Sequence, residues 1–403
     1  MRPGVLYVCY DAVTEPLVQT QVVPYLKGLA AAGFRLHVLT FEKRRLSALE
    51  KASYGAAFAE SGIRWHVLRY HRRPSLLATV FDVTLGTLTA VGLCLRHRLM
   101  VVHARSHVPA TMALAAKSVV GTWFLFDVRG LLPDEYAEIG HWQRQGLKYR
   151  LVKSIESSLL LPHADALVFL TERIKAELAR EERRPVAVIP CCVDTARSVC
   201  DAAVRDAVRA QYGWTERKVM IYAGKLGGWY PVGLMVQLFL AAREQDSSLF
   251  LQVLTPSDGS ELEHALTGCG IARGDYDIRA ATPTEVARTL QGADLGLSLI
   301  LTVPSKRASS PTKLAEYLAA GIPVLSTRGI GDCDELLGTE RVGVLLEGND
   351  DVSYRAAAEA ALRLLRDPDL RDRCRRVAHR WFSLQTVGMP RYLAIYDKVL
   401  ALH

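Results

Sequence analysis

The residues best suited to chemistry lie in the stretch Ser309–Thr327, SSPTKLAEYLAAGIPVLST. Ser310 suits an N-cap, Pro311 the first helical position and Gly321 the helix end, after which Ile322–Leu325 opens a buried strand. Leu314, Tyr317, Leu318 and Gly321 share one side, which therefore faces inward. Lys313 then stands at the third helical position, where a cation opposes the helix dipole. An anion in front of the helix removes the conflict. Backbone N–H groups, the hydroxyls of Ser309, Ser310 and Thr312 and the Lys313 ammonium would converge on a phosphate. Glu316, one turn on, is placed to accept hydrogen bonds from a sugar diol. The plainer alternative is a capped surface helix whose Lys–Glu pair is worth roughly 0.3 kcal/mol.

A second candidate is the loop Gly224-Lys-Leu-Gly-Gly-Trp-Tyr230, directly after the apolar run Val219–Ala223. Gly224, Gly227 and Gly228 allow backbone to approach a ligand closely, and Lys225 is a cation where a phosphate would lie. The alternative for Lys225 is an ordinary exposed loop lysine.

The elements that must position these groups follow from the apolar pattern. In the first half short apolar runs (Val5–Tyr10, Leu36–Phe41, Trp65–Leu68, Met100–His103, Trp123–Val128, Ala166–Leu170, Val186–Pro190) alternate with helix-length segments. A boundary follows near 190–218, with a polar helix Cys200–Tyr212, and the alternation restarts: Val219–Ala223, Leu249–Leu254, Asp277–Arg279, Leu295–Ile300, Ile322–Ser326, Val344–Leu346. Such alternation predicts α/β domains with parallel sheets and right-handed crossovers. Ligands gather beyond the carboxyl ends of such strands. In the first half those ends carry Asp11–Gln19, with Glu15 and Gln19; His103–His107, with Arg105 and His107; and Asp127–Gly130, with Asp127 and Arg129. Any one of these is equally well an ordinary loop cap.

The run P-T-K-L-x-E-Y-x-A-x-G-x-P-V (311–324) resembles the donor-binding helix of retaining GT-B glycosyltransferases, family four. The Gly224-Lys-Leu segment resembles that family's G-R/K-L loop, and Ala293-Asp-Leu-Gly-Leu297 its strand ahead of the donor helix. The resemblance implies two Rossmann-like domains whose parallel sheets face a central cleft: an acceptor domain over 1–195 and a nucleotide-sugar domain over 205–380. The tail Trp381–His403 would return to the first. It further implies retaining, metal-independent transfer of a hexosyl or related group from a nucleotide-diphosphate sugar (UDP or GDP) to an acceptor hydroxyl, with no cofactor. Lys225 and Lys313, with Ser309, Ser310 and Thr312, would hold the diphosphate and Glu316 the ribose. Glu15, Gln19, Arg105, His107, Asp127 and Arg129 would face the acceptor, with either Arg105 or His107 at the family's catalytic-histidine position. Two departures stand out. Of the family's E-x7-E pair only Glu316 is present, with Ala308 at the first place; and Tyr230 stands where a second basic residue is common. Lys306 or Arg307 would supply that charge.

The chain has 403 residues, half of them hydrophobic, which fits two domains. Eight cysteines lack metal-site spacing and read as small core residues of a reducing compartment. No GxGxxG follows a first strand in either half, which argues against nicotinamide or flavin chemistry. The opening MRPGVLYVCYDA enters a strand without the apolar core of a signal peptide. The apolar window Thr84–Leu95 is too short to cross a bilayer and predicts a buried helix. A cytoplasmic protein is expected, with the inner face of a membrane as a possible station. Residues 1–200 hold 26 Lys+Arg against 17 Asp+Glu, whereas residues 201–403 hold 24 against 25. The basic half points to an anionic acceptor or membrane surface, with a sugar, lipid-linked or small-molecule acceptor. Nucleic acid is not expected, since no reading module accompanies the charge. The basic stretch Trp142–Ile155 predicts a helix with a solvated face, or one that meets an anionic surface. Two rival functions remain: a nucleotide-sugar epimerase on the same fold, and a nucleotide-sugar-binding protein without catalysis, which Ala308 motivates.

Overall fold

Among the described residues thirteen short runs, most of them apolar and each bounded by loop residues, become strands, as suits parallel strands covered largely on both faces. The computed structural model describes residues 2–73, 75–180, 182–196 and 202–402. It divides into two compact units, Met1–Pro190 with Gly388–His403, and Cys191–Val387.

The N-terminal unit holds β1 (Gly4–Cys9), β2 (Arg35–Glu42), β3 (Arg64–Arg69), β4 (Leu99–Arg105), β5 (Trp123–Val128), β6 (Ala166–Phe169) and β7 (Val186–Val188). All neighbours are parallel, in the order β3-β2-β1-β4-β5-β6-β7. The final helix Met389–Leu400 lies in this unit: Gly28 leaves room for Met389, and Tyr396 reaches His103. The C-terminal unit holds β8 (Lys218–Ala223), β9 (Leu249–Leu254), β10 (Tyr276–Arg279), β11 (Leu295–Ser298), β12 (Val324–Thr327) and β13 (Gly343–Leu346). Their order is β10-β9-β8-β11-β12-β13, again all parallel. In each sheet the order reverses between two central strands, β1/β4 and β8/β11. Helices there leave on opposite faces, which opens a crevice at the strands' carboxyl ends. Two apolar layers sandwich the second sheet, one around Trp214 and Tyr317, the other around Tyr222 and Phe239.

Three expectations need correction. The window Thr84–Leu95 belongs to a longer helix, Ser75–His97, and this helix is not buried: Leu77, Val80, Phe81, Leu88 and Leu95 are exposed. The basic stretch 142–155 is helical only over Leu147–Ile155, and its cations are partly neutralised, with Lys153 at 2.8 Å from Asp134 and 2.6 Å from Glu156. Of the described cysteines, Cys269 is exposed while Cys9, Cys94, Cys191, Cys192, Cys333 and Cys374 are buried; Cys200 lies outside the described residues.

Candidate functional site

In the C-terminal unit the groups singled out above meet at the β8/β11 switch point. The helix carrying Lys313 runs Thr312–Ala319, one residue later than expected, with Pro311 as its N-cap. The Ser310 hydroxyl does not cap it and instead accepts a hydrogen bond from the Cys191 amide at 3.1 Å. The helix therefore has no side-chain cap and no acidic residue in its first turn. Its amino end is left electropositive. Tyr317 anchors the helix to the sheet: its hydroxyl accepts from the Ala223 amide at 2.8 Å, and its ring fills the space above Gly296.

This anchoring sets Lys313 over the end of β8. Its Nζ lies 3.8 Å from the Tyr222 ring centre and 4.8 Å from that of Tyr230, is buried, and has no hydrogen-bond partner among the described residues. Aromatic faces attract the ammonium without satisfying its three N–H donors. Burial pushes its pKa down from 10.5 to about 7, with Glu316 opposing. Burial likewise raises the Glu316 carboxyl, opposed by Lys313. Gly224 has φ +144°, and a Cβ there would come within 3.1 Å of the Lys313 Nζ. The glycine loop thus brings backbone close to the lysine. Lys225 itself is exposed, its carbonyl held by the Tyr222 hydroxyl. Gly227 and Tyr230 close the loop through a pair of backbone hydrogen bonds at 3.0 and 3.1 Å, and Gly228 is exposed at its turn. Ser309 and Thr312 are half-buried at the same helix end.

The pattern of residue types did not disclose the aromatic bracket. Trp229 carries the buried Lys306 ammonium, 3.7 Å above its ring, and Tyr230 flanks Lys313, so successive aromatic residues support two cations. Tyr230, standing where a second basic residue was looked for, acts here through its π face. Nor was a cavity of about 420 Å³ visible in the sequence. It lies beyond β9 and β10, lined by Ser257, Glu263, Tyr276, Arg279 and their neighbours. The Ser257 hydroxyl accepts from the Leu226 amide at 3.0 Å, which joins this cavity to the glycine loop. Tyr276 is buried, and its hydroxyl has no hydrogen-bond partner among the described residues. A Gly- and Ser-rich loop after a strand was its only sequence signal. Asp294, of the Ala-Asp-Leu-Gly segment, proves structural: it accepts from the Val219 amide at 2.8 Å and pairs with Arg205 and Arg209.

In the N-terminal unit the strand-end residues are brought together differently. Asp127 is fully buried at the end of β5. It accepts from the Tyr392 hydroxyl at 3.0 Å and has Arg129 and Arg105 nitrogens at 3.5 and 3.8 Å. Burial alone would raise its pKa, but Arg129, His103 and Arg105 hold it well below the usual carboxylate range. His107 is buried too, its Nε2 2.6 Å from Glu156, with its ring edge-on to Phe126. Asp127, His107 and Arg105, the last 5 % exposed, are each buried within their unit and held by internal partners. A buried charge left without its partner is costly, and Glu156 lies far from His107 in sequence and Arg105 far from Asp127, whereas Arg129 is only two residues beyond Asp127. Glu15 is bound to Lys43, Gln19 donates to the Val13 carbonyl at 2.6 Å, and both remain partly exposed, as does Arg129. Among the described residues no group of three or more His, Cys, Asp or Glu is arranged to hold a metal ion.

Two parallel α/β units, one presenting an anion-seeking lysine at its switch point, define the GT-B class. Solved structures share this fold: a glycosyltransferase from Rickettsia africae (TM-score 0.73, 15% identity, 99% of each chain covered) and a sucrose-phosphate synthase from Thermosynechococcus elongatus (0.73, 16%, 100% of each). So does the Anabaena protein HepE, solved in complex with UDP (TM-score 0.72, 13% identity, 98% of this chain and 100% of that one). No curated protein matches the sequence. Residues 18–197 match the model for Glycosyltransferase Family 4, and residues 204–381 that for Glycosyl transferases group 1. The two halves belong to these families, and the chain is a glycosyltransferase of the GT-B, family 4 type.

Proposed function

We propose that the protein moves a sugar from a nucleotide-diphosphate sugar to an acceptor hydroxyl, with retention at the anomeric carbon and without a metal. The observation that carries this reading is the buried Lys313 ammonium, unpartnered among the described residues, at an uncapped helix end. In the transfer the bond from the anomeric carbon to the diphosphate breaks, and its electron pair goes to the departing phosphate oxygen. The acceptor oxygen forms the new bond on the same face and its proton passes to the diphosphate. Charge grows on the diphosphate, so the fixed cations Lys313 and Lys225, the helix N–H groups and the hydroxyls of Ser309 and Thr312 act mostly in the transition state. Glu316 would hold the ribose hydroxyls, and the cavity bounded by Ser257, Tyr276 and Arg279 would take the base. The HepE complex with UDP makes a uridine donor the first to try. An acceptor (a sugar, a lipid-linked sugar or a small molecule) would be met by Glu15, Gln19 and Arg129. A cytoplasmic station accords with a donor made there.

The buried Ala308, where a carboxylate is common, favours the rival reading of a binding protein that no longer transfers. One experiment addresses both. With UDP-sugars and an acceptor panel, nucleotide release is expected from the wild type. Lys313→Ala should lower it about 10²–10³-fold while melting as a folded protein. Near-wild-type release from a folded K313A contradicts the role of the lysine. Donor binding without release under any acceptor supports the rival, and product formed without acceptor supports an epimerase.

A further inference from the structure

Helix Ser75–His97 is built inside out for a surface helix. Towards its own unit it turns Ala78, Asp82, Gly86, Ala90 and Cys94, one residue per turn and mostly small. Gly86 lies tight against Met112 and Phe41. Asp82, the helix's sole acidic residue, is fully buried and accepts from the Tyr10 hydroxyl and the His71 amide, each at 2.8 Å. Outward it turns the large residues Leu77, Val80, Phe81, Leu88 and Leu95, each more than half exposed, with Thr84 between them. These repeat every three or four positions and form one stripe along a helix about 34 Å long. The stripe continues past the helix, where Leu95 and Met100 line a shallow crevice with Arg98, Val120 and Trp123. The helix is long and apolar enough to cross a membrane. Its inner side, however, is tied to the sheet through Asp82, so it can lie on a bilayer without leaving its unit.

Charge identifies what covers the stripe. Arg72 and Arg73 stand exposed before the helix, Arg96 and Arg98 exposed at its end. Residues 43–98 hold ten lysines and arginines against three acidic residues. A second copy packed two-fold over this stripe would bring the same arginines together, with no exposed carboxylate on the helix to answer them. An anionic lipid surface takes the leucines and the phenylalanine into its acyl boundary and the four guanidiniums among its phosphates.

We infer that Ser75–His97 is an in-plane docking helix that seats the N-terminal unit on an anionic bilayer. This stands apart from the sugar-transfer reading, because its test needs no turnover. The full chain is co-sedimented with vesicles of phosphatidylcholine alone and of phosphatidylcholine with phosphatidylglycerol. Wild type should pellet with the anionic vesicles, much less with the neutral ones, and less as salt is raised. F81S/L88S, both more than half exposed, with Phe81 giving up only its edge contact with His71, should lose binding about tenfold or more at a nearly unchanged melting temperature. R72Q/R73Q should lose the preference for anionic lipid. Wild type left in the supernatant, equal binding to both vesicle types, or F81S/L88S bound as tightly as wild type would each overturn the inference. So would a dimer that F81S/L88S dissolves in a protein that ignores vesicles, since that assigns the stripe to a second copy.

Discussion

Lys313 is where residue type and environment pull hardest against each other. In water its ammonium would be solvated; here it is buried between two tyrosine rings and its pKa is lowered to about 7. The sign of the linkage follows. Between about pH 7 and 10.5 the unfolded chain carries a proton that the folded chain lacks, so this group's contribution to stability rises with pH across that window. An arriving diphosphate favours the charged form, so binding should take up a proton near pH 8. Calorimetry of UDP binding in two buffers of different ionisation enthalpy should show this uptake in the wild type and not in Lys313→Met. Gly224→Ala tests the other side of the contact. The Lys313 end is flexible and can yield, so the φ of +144° decides the cost, about 1–3 kcal/mol. A lowered melting temperature with weakened UDP binding is expected; unchanged values for both would remove the glycine from the site. The Lys–Glu spacing and the glycine loop were legible because they break local rules. The burial of His107 and Asp127 was not, because their partners Glu156, Tyr392 and Arg105 arrive from other elements.

Among elements, the strands were the most legible part: continuous apolar runs such as Phe124–Val128 and Val219–Ala223 have no other stable use in a chain of this length. Helix ends were less so. Pro311 is the N-cap rather than the first helical residue, and the Ser310 hydroxyl accepts from the Cys191 amide instead of capping. Two predictions belong at this scale. Asp294 ties β8 to the helix Ala202–Tyr212 through the Val219 amide and two arginines, so Asp294→Ala should destabilise the C-terminal unit by about 3 kcal/mol in chemical denaturation. His37 on β2 stacks on His66 of β3 and touches His97; burial, then His97 and His66, push its pKa from 6.5 down to about 4. Its neutral form is the folded one, so its contribution is complete above pH 6.5 and falls as pH drops towards 4. The N-terminal unit should therefore melt earlier at about pH 5 than at pH 7, and His37→Phe should flatten that slope.

For the whole molecule, a ligand that binds only the folded chain raises its stability by mass action. A melting series with UDP, GDP, ADP and TDP should single out one nucleoside diphosphate, and K313A should abolish its shift. Equal, small shifts from all four would deny a specific donor pocket. The sequence by itself determined the α/β class, the parallel strands and the anion-seeking helix, since each rests on local periodicity or on a local violation of it. Tertiary structure alone decided which polar groups are walled in, which aromatic rings hold the two lysines, and that helix Ser75–His97 turns its large side chains outward. Burial is a property of what arrives from elsewhere in the chain, and an apolar window reads the same whether its leucines end inside a core or on a surface.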